Sequence, residues 1–251
     1  MKATNFEFRF RVVIMVTIIL LGFWSPWIEA LGSGASVAQR IPLLEWLALE
    51  LSRQGLLSFT AASPVVIVLI ALIAAKAAVL RIWGTAYLGP GTVNNLEMKA
   101  GDVMAAGPYR YVRNPLYLGS WGMMAAIAFL MPPTGALLTM VLITVFLIRL
   151  ILAEEAFLTA QLGEPYRAYL SAVPRLVPRV RTTLPPSLQK PNWLHAVISE
   201  INPIGVFIIF AALSWSYNNR LMLQAILVSF GVSLVVRALM PQMRQENTPQ
   251  S

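Results

Sequence analysis

Residues 116–152 read LYLGSWGMMAAIAFLMPPTGALLTMVLITVFLIRLIL. Two apolar runs, residues 116–131 and 135–152, stand on either side of the pair Pro132 and Pro133. Each run is close to the lower limit of about 17 residues for a transmembrane helix. Because proline cannot continue a helix, the pair predicts a tight turn. The segment therefore predicts a membrane-spanning helical hairpin.

Four further apolar segments surround this hairpin, and they cover residues 12–28, 64–83, 203–217 and 221–239. The chain of 251 residues is 57% hydrophobic and only 12% charged, whereas a soluble domain carries about 25% charged residues. The sequence therefore predicts an all-α, polytopic transmembrane bundle of about six spans. No small-residue cleavage site follows the first run, so we expect it to be retained as a span.

Basic residues are distributed unevenly between the two sides of this bundle. With the N-terminus in the cytoplasm, 15 of the 19 Lys and Arg residues fall on the cytoplasmic side and 3 on the other, with Lys76 inside a span. This bias follows the positive-inside rule. It predicts cytoplasmic N- and C-termini, and it explains the net charge of +8 by anionic headgroups rather than by nucleic acid.

The segments between the spans divide the chain into three expected parts. Residues 1–80 hold two spans and an outer segment, 42–54, with helically spaced leucines; it reads as an interfacial amphipathic helix or as an ordinary helix packed on the spans. Residues 81–180 form the core with the hairpin and the polar motifs. Residues 181–251 hold a basic, proline-rich connector and the last two spans.

Several chemistries are excluded by composition. The chain has no cysteine and one histidine, His195. Disulfides, thiolate zinc sites and a cysteine nucleophile are therefore absent. A single histidine cannot form a histidine metal site or a Ser-His-Asp triad, and we expect no metal.

Polar residues concentrate in two blocks, GPYRYVRNPLYLG at 107–119 and EEAFLTAQLGEPYRAY at 154–169. They flank the hairpin, so both blocks reach the same cytoplasmic face. Arg110 and Arg113 beside a helix N-terminus suit an anionic group. Glu154 and Glu155 offer acceptors for an ammonium and for ribose hydroxyls.

Three tyrosines, Tyr109, Tyr111 and Tyr117, add aromatic faces to these charges. A ligand with a carboxylate, an ammonium, a ribose and an adenine fits this set. S-adenosylmethionine has all four groups together with a sulfonium. A nicotinamide dinucleotide phosphate fits less completely.

The same blocks carry a family resemblance. The first is similar to the motif GPY-x-x-x-RHP-x-Y-x-G, and the second is similar to EE-x-x-L, continuing to Val173-Pro174-Arg175. Upstream, Arg81-Ile-Trp83 and Leu88-Gly89 resemble a segment of bacterial members. Over residues 81–178 the chain resembles the isoprenylcysteine carboxyl methyltransferase and phospholipid methyltransferase families. One position departs from the pattern, because Asn114 stands where the histidine of RHP is usual.

This resemblance implies an S-adenosyl-L-methionine pocket enclosed by the hairpin, the loop before it and the helix after it. Its expected cofactor-binding residues are Leu88, Gly89, Gly107, Tyr109, Arg113, Asn114, Pro115, Tyr117, Gly119, Glu154 and Glu155. We expect Arg149 or Arg175 to clamp an acceptor carboxylate. Glu155 also stands among the expected catalytic residues, since a carboxylate could serve as the base for an amine acceptor.

The expected acceptor is a lipid or lipidated molecule at the membrane boundary, such as an isoprenylcysteine carboxylate or a phospholipid amine. The resemblance to bacterial members implies the bacterial inner membrane. Two other functions fit the sequence less well. One is a membrane reductase that uses NADPH, and the other is a non-catalytic membrane scaffold.

Overall fold

The computed structural model describes residues 2–24, 41–92, 106–182, 184 and 190–239. The described residues form helices joined by turns, and no strand occurs among them. The all-α prediction is confirmed. The helices are α1 (Asn5–Arg9), α2 (Arg11–Phe23), α3 (Leu43–Arg53), α4 (Phe59–Thr92), α5 (Pro115–Ala128), α6 (Pro133–Leu162), α7 (Glu164–Ala172), α8 (Trp193–Ser199), α9 (Ile201–Leu213) and α10 (Asn219–Leu239), with a 3-10 helix at Gly107–Arg110.

Each of the six predicted spans contains a helix, but the helices differ in length. Within the described residues, α4, α6 and α10 are long and apolar enough to cross a membrane, and α8 with α9 forms a fourth candidate bent by 68°. Helices α2 and α5 have 13 and 14 residues, or about 20 Å at 1.5 Å per residue. That is short of a hydrocarbon core of about 30 Å. The end of the first predicted span, including Ile28, lies outside the described residues.

The predicted hairpin is formed by α5 and α6. Pro132 precedes α6 in an extended conformation and Pro133 is its first residue, a position where the missing N–H of proline has no cost. Helix α6 continues past the predicted end at residue 152 to Leu162, so Glu154 and Glu155 belong to it. We call the end where α5 begins and α6 finishes the open end, and the other the turn end.

Helix α3, predicted over residues 42–54, packs on the turn end. The N–H groups of Leu43 and Leu44 donate to the carbonyls of Met131 and Phe129 at 2.8 and 3.0 Å. Of the two readings of this segment, the contacts favour the helix packed on the spans, with Leu44 buried. Asn219 Nδ2 donates to Glu45 Oε1 at 2.9 Å, which brings the start of α10 to the same end.

Helix α4 runs without a break through the boundary expected at residue 80 and packs closely on α5. A Cβ atom on Gly119 would lie 2.4 Å from Cγ of Arg81 and 3.1 Å from the carbonyl oxygen of Ala77, and one on Gly122 would lie 3.2 Å from the Ala77 side chain. Small residues therefore let the two helices approach. The apolar core is shared with the C-terminal helices, since Phe210 of α9 is fully buried in it.

Candidate functional site

The two polar blocks meet at the open end. Gly107 starts the 3-10 helix with φ +53°, a left-handed conformation that glycine adopts without strain. A Cβ there would lie 2.3 Å from the ring of Tyr87, so this turn also needs the close approach. Pro115 is the first residue of α5. These local features bring the first block beside the end of α6 and beside α7.

Glu155 is the centre of this region. Its side chain is 7% exposed, and it accepts hydrogen bonds from Arg113 Nη1 at 3.2 Å and from Asn114 Nδ2 at 3.2 Å. Arg175 donates from Nε to both carboxylate oxygens at 3.0 and 3.1 Å, and from Nη2 at 2.7 Å. A carboxylate has about four lone-pair positions, so the protein itself fills the acceptor capacity of Glu155.

Arg113 joins the first block to the end of α7. Its Nε and Nη2 donate to the carbonyls of Val173 and Leu170, and its backbone N–H donates to the carbonyl of Pro174 at 2.9 Å. The last carbonyls of a helix have no partner within it. Arg113 therefore completes the end of α7 while its remaining nitrogen binds Glu155.

Asn114 precedes α5 as its N-cap residue, but its side chain makes no hydrogen bond to the start of the helix. Instead Nδ2 donates to Glu155 and, at 3.3 Å, to the carbonyl of Arg175. This buried amide supplies a donor at the position where the family motif has histidine. The geometry gives it a role in holding Glu155 and Arg175 together.

Glu154, the neighbour of Glu155, has a separate partner. Its carboxylate accepts a hydrogen bond from the hydroxyl of Tyr117, which lies in the first turn of α5. The Arg11 cation of α2 lies near both groups. Adjacent residues on a helix point about 100° apart, so the two glutamates face different surroundings. Glu154 keeps acceptor positions that its contact with Tyr117 does not use.

Buried tyrosines line the region between the 3-10 helix and α7. The hydroxyl of Tyr169 donates to the carbonyl of Tyr109 at 2.9 Å. Burial raises the pKa of Tyr109, Tyr166 and Tyr169 above the usual value. These phenols are therefore protonated near neutral pH and do not act as bases there.

The two arginines expected to clamp an acceptor lie in different places. Arg175 is bound to Glu155, and this contact raises the pKa of its guanidinium. Its side chain is 45% exposed, so it can also face a ligand. Arg149 lies one to two turns before Glu155 on α6 and binds Glu7 at 2.8 and 3.0 Å. Its guanidinium is therefore directed to the N-terminal segment, and its role in an acceptor clamp stays a prediction.

The other expected residues are distributed along α4 and α5. Leu88 and Gly89 lie in the last turns of α4. Gly119 faces Arg81, which places it in the packing between these helices. The roles of these residues in cofactor binding stay predictions.

Two acidic residues outside the sequence motifs bind basic residues in the structure. Glu7 binds Arg149, and Glu200 binds Arg81. Glu200 is the single acidic residue in the apolar segment 193–213. An ionisable residue in such a segment is costly and has a partner as a rule, and this signal would have identified it.

The fold and the site define an integral membrane protein with a polar site at one end of a helical hairpin. Residues 57–164 match the family model described as phospholipid methyltransferase. This region is similar to that methyltransferase family, and the resemblance predicted from the sequence is confirmed for it. Comparisons with curated proteins and with solved structures gave no match. The matched region includes Asn114, Glu154 and Glu155, whereas Arg175 and Glu200 lie beyond it.

Proposed function

We propose that the protein transfers a methyl group from S-adenosyl-L-methionine to an amphiphilic acceptor in the membrane. The family match supports methyl transfer. The observation that carries the proposal is the glutamate pair at the end of α6. Glu155 is fully bound by Arg113, Asn114 and Arg175, whereas Glu154 contacts Tyr117 and keeps acceptor positions for a ligand.

The residues present fit the cofactor. Arg110 donates from Nη2 to the carbonyl of Leu184, while its Nε is buried with no hydrogen-bond partner among the described residues. A buried donor without a partner is unfavourable, and the carboxylate of the cofactor would supply an acceptor. Trp83 and Tyr111, with ring centroids 6.0 Å apart, offer aromatic faces for adenine.

The two glutamates take different parts in this proposal. Glu154 would accept from the ammonium or the ribose hydroxyls of the cofactor. Glu155 would hold Arg113, Asn114 and Arg175 in place and keep the guanidinium of Arg175 directed at the site. This division refines the expectation that both glutamates contact the cofactor directly.

Bound S-adenosylmethionine supplies a methyl group on a sulfonium, and its transfer leaves the bonding electron pair on sulfur. The protein has to align the acceptor with that methyl and exclude water. A carboxylate acceptor needs no base, whereas an ammonium must first lose a proton. Within the described part of the site no histidine is present. Glu154 is therefore our candidate for the base that accepts this proton.

The acceptor class follows from the membrane setting. A lipid tail would lie among the apolar helices while its polar head reaches the open end. The family description favours a phospholipid amine, and an isoprenylcysteine carboxylate is the second candidate. We place the open end on the cytoplasmic side of a bacterial inner membrane, because the basic residues concentrate there.

The cofactor is tested by calorimetric titration of the detergent-purified protein with S-adenosylmethionine, S-adenosylhomocysteine and NADPH. We expect binding of the first two, and at least a tenfold loss of affinity in Glu154→Gln. The matched control is Glu164→Gln, which changes an exposed glutamate paired with Arg167 on the surface. A folded protein that binds NADPH in preference would overturn the proposal in favour of a reductase.

The acceptor is tested with membrane lipids and S-adenosylmethionine that carries a labelled methyl group. A methyl ester releases labelled methanol in alkali, whereas an N-methyl amine does not. Label stable to alkali in the phospholipid fraction would establish the amine acceptor. Label that is volatile after alkali treatment would establish a carboxylate, and unlabelled lipids in the presence of bound cofactor would contradict a lipid acceptor.

A further inference from the structure

A second polar cluster lies between α4 and the junction of α8 with α9. Arg81 donates from Nε to Glu200 Oε2 at 2.6 Å and from Nη2 to Glu200 Oε1 at 3.0 Å. Thr85 Oγ1 donates to the same Oε1 at 2.6 Å. The two side chains of the ion pair are 16% and 3% exposed. This is a buried, two-pronged arginine–carboxylate pair, the arrangement with the most fixed geometry.

The third nitrogen of this guanidinium, Nη1, binds the start of α5. Arg81 Nη1 donates to the hydroxyl of Ser120 at 2.5 Å and to the carbonyl of Leu116 at 3.3 Å. Ser120 itself donates back to the carbonyl of Leu116 at 2.9 Å. Arg81 thus donates hydrogen bonds to Glu200 on one side and to the first turns of α5 on the other.

The start of α5 depends on contacts of this kind, because no side chain caps it. Asn114 uses its side-chain amide on Glu155 instead. Helix α5 is therefore held on one side through Glu155 and on the other through Arg81. Tyr117, the partner of Glu154, lies in the part of α5 that these two sets of hydrogen bonds fix.

We propose that Arg81 and Glu200 are positioning residues of the methyl-transfer site. Glu200 fixes the guanidinium of Arg81, and Arg81 fixes the first turns of α5, which carry Tyr117. This inference rests on the proposed function for the identity of the ligand. It assigns a role in that function to the C-terminal helices, which lie beyond the matched residues 57–164.

The placement of Glu200 supports this assignment. It stands at the bend between α8 and α9, and its backbone N–H donates to the carbonyl of Ala196. Arg237 of α10 donates from Nη2 to the carbonyl of Ser199 at 3.1 Å. Contacts from α8 and α10 therefore fix the backbone beside Glu200, at the bend from which its side chain reaches Arg81.

Two variants test the proposal. Glu200→Gln removes the charge that fixes Arg81, and Ser120→Ala leaves the ion pair intact but removes one contact of Arg81 with α5. The matched control for the serine is Ser63→Ala, since the Ser63 hydroxyl also bonds the carbonyl four residues earlier but lies at the start of α4. Glu45→Gln at the turn end controls for the loss of the charge of a partly buried glutamate that also binds a C-terminal helix.

Affinity for S-adenosylhomocysteine is measured at temperatures where each variant is fully folded, as established by thermal unfolding. We expect a loss of about tenfold for Glu200→Gln, and of about threefold for Ser120→Ala, the size of one hydrogen bond. Both controls should bind as the wild type does. Wild-type affinity in folded Glu200→Gln and Ser120→Ala, or equal losses in the controls, would overturn the proposal.

Hydrogen exchange without ligand separates this proposal from the proposed function. The hydrogen-bonded amides in the first turns of α5, residues 118–120, should exchange faster in Glu200→Gln and Ser120→Ala, while those of α3 stay as in the wild type. This result does not depend on cofactor binding. If the wild type failed to bind the cofactor, the proposed function would be wrong. Unchanged exchange at residues 118–120 would overturn the positioning by Arg81.

Discussion

Asn114 donates its side-chain amide to Glu155 at 3.2 Å, at the position where the motif GPY-x-x-x-RHP-x-Y-x-G has histidine. An imidazole changes its charge near neutral pH, whereas an amide does not. The contact that joins the start of α5 to the end of α6 is therefore independent of pH in this range. The same amide reaches the carbonyl of Arg175, so one side chain joins three elements.

Replacing this amide tests how much it contributes to the free energy of unfolding. Asn114→Leu removes both hydrogen bonds of the amide, and we expect a loss of about 1–3 kcal/mol in unfolding free energy, because each such bond contributes about 1 kcal/mol. Asn114→His keeps a donor and should lose less. Thermal unfolding in detergent measures both variants. A leucine variant as stable as the wild type would contradict the role given to the amide.

The histidine variant should also acquire a pH dependence. Glu155 beside the imidazole favours its cation, so the folded pKa of this His would lie above the ordinary value of about 6.5. Its stabilising effect would be complete below pH 6.5 and would be lost as the pH rises through the folded pKa. We expect the stability of Asn114→His, relative to the wild type, to fall between pH 6 and pH 8.

The two adjacent glutamates should respond differently to the same change. Glu155→Gln leaves Arg113 without its counter-charge, and we expect a loss of roughly 3 kcal/mol, the lower end for a broken buried pair. In Glu154→Gln the new amide oxygen still accepts from Tyr117, so the stability should stay within about 0.5 kcal/mol. Unfolding curves of both variants test this, and similar losses would contradict the separate roles.

Glycine at position 119 is required by the approach of α4. Gly119→Ala would place a Cβ 2.4 Å from Cγ of Arg81, and we expect overpacking to cost about 1–3 kcal/mol. Gly231→Ala is the control, because a Cβ on this helical glycine of α10 meets nothing within 4 Å. That change should stabilise the protein by about 0.5–1 kcal/mol. Equal effects at the two positions, measured by thermal unfolding, would exclude this packing argument.

The N-terminal ion pair should affect stability in acid. The hydrogen bond from Arg149 lowers the pKa of Glu7 to about 2, below the ordinary value of about 4.3. A carboxylate with a lowered pKa stabilises the fold above its unfolded pKa, and this effect is lost as the pH falls through the folded pKa. The difference in melting temperature between the wild type and Glu7→Gln should therefore be constant above pH 5 and shrink towards pH 2. A constant difference down to pH 2 would show that the pair is not formed.

Helix positions were predictable because they depend on local properties. Apolar runs and the pair Pro132 and Pro133 predicted the hairpin, and the leucine spacing predicted α3. The number of crossings was less accessible, because hydropathy does not show where a helix ends. Helix α6 extends ten residues past its predicted end, and α8 with α9 bends at Glu200.

The site was predictable only in part, for a related reason. The spacing of the motifs identified Asn114, Glu154 and Glu155 as neighbours in one region. It could not identify Glu7 as the partner of Arg149, since 142 residues separate them. The pairing of Arg81 with Glu200 across 119 residues likewise follows from packing between distant helices, which no local pattern encodes.

The bonds from Leu43 and Leu44 to the carbonyls of Met131 and Phe129 have a consequence for isolated fragments. A fragment limited to residues 57–164 would lose these donors at the turn end and the carboxylate of Glu200 at the open end. Its carbonyls would then face hydrocarbon or water without their native partners, which is costly at membrane depth. We therefore expect that the family segment does not fold independently in this protein and that coexpression of the flanking pieces rescues its assembly.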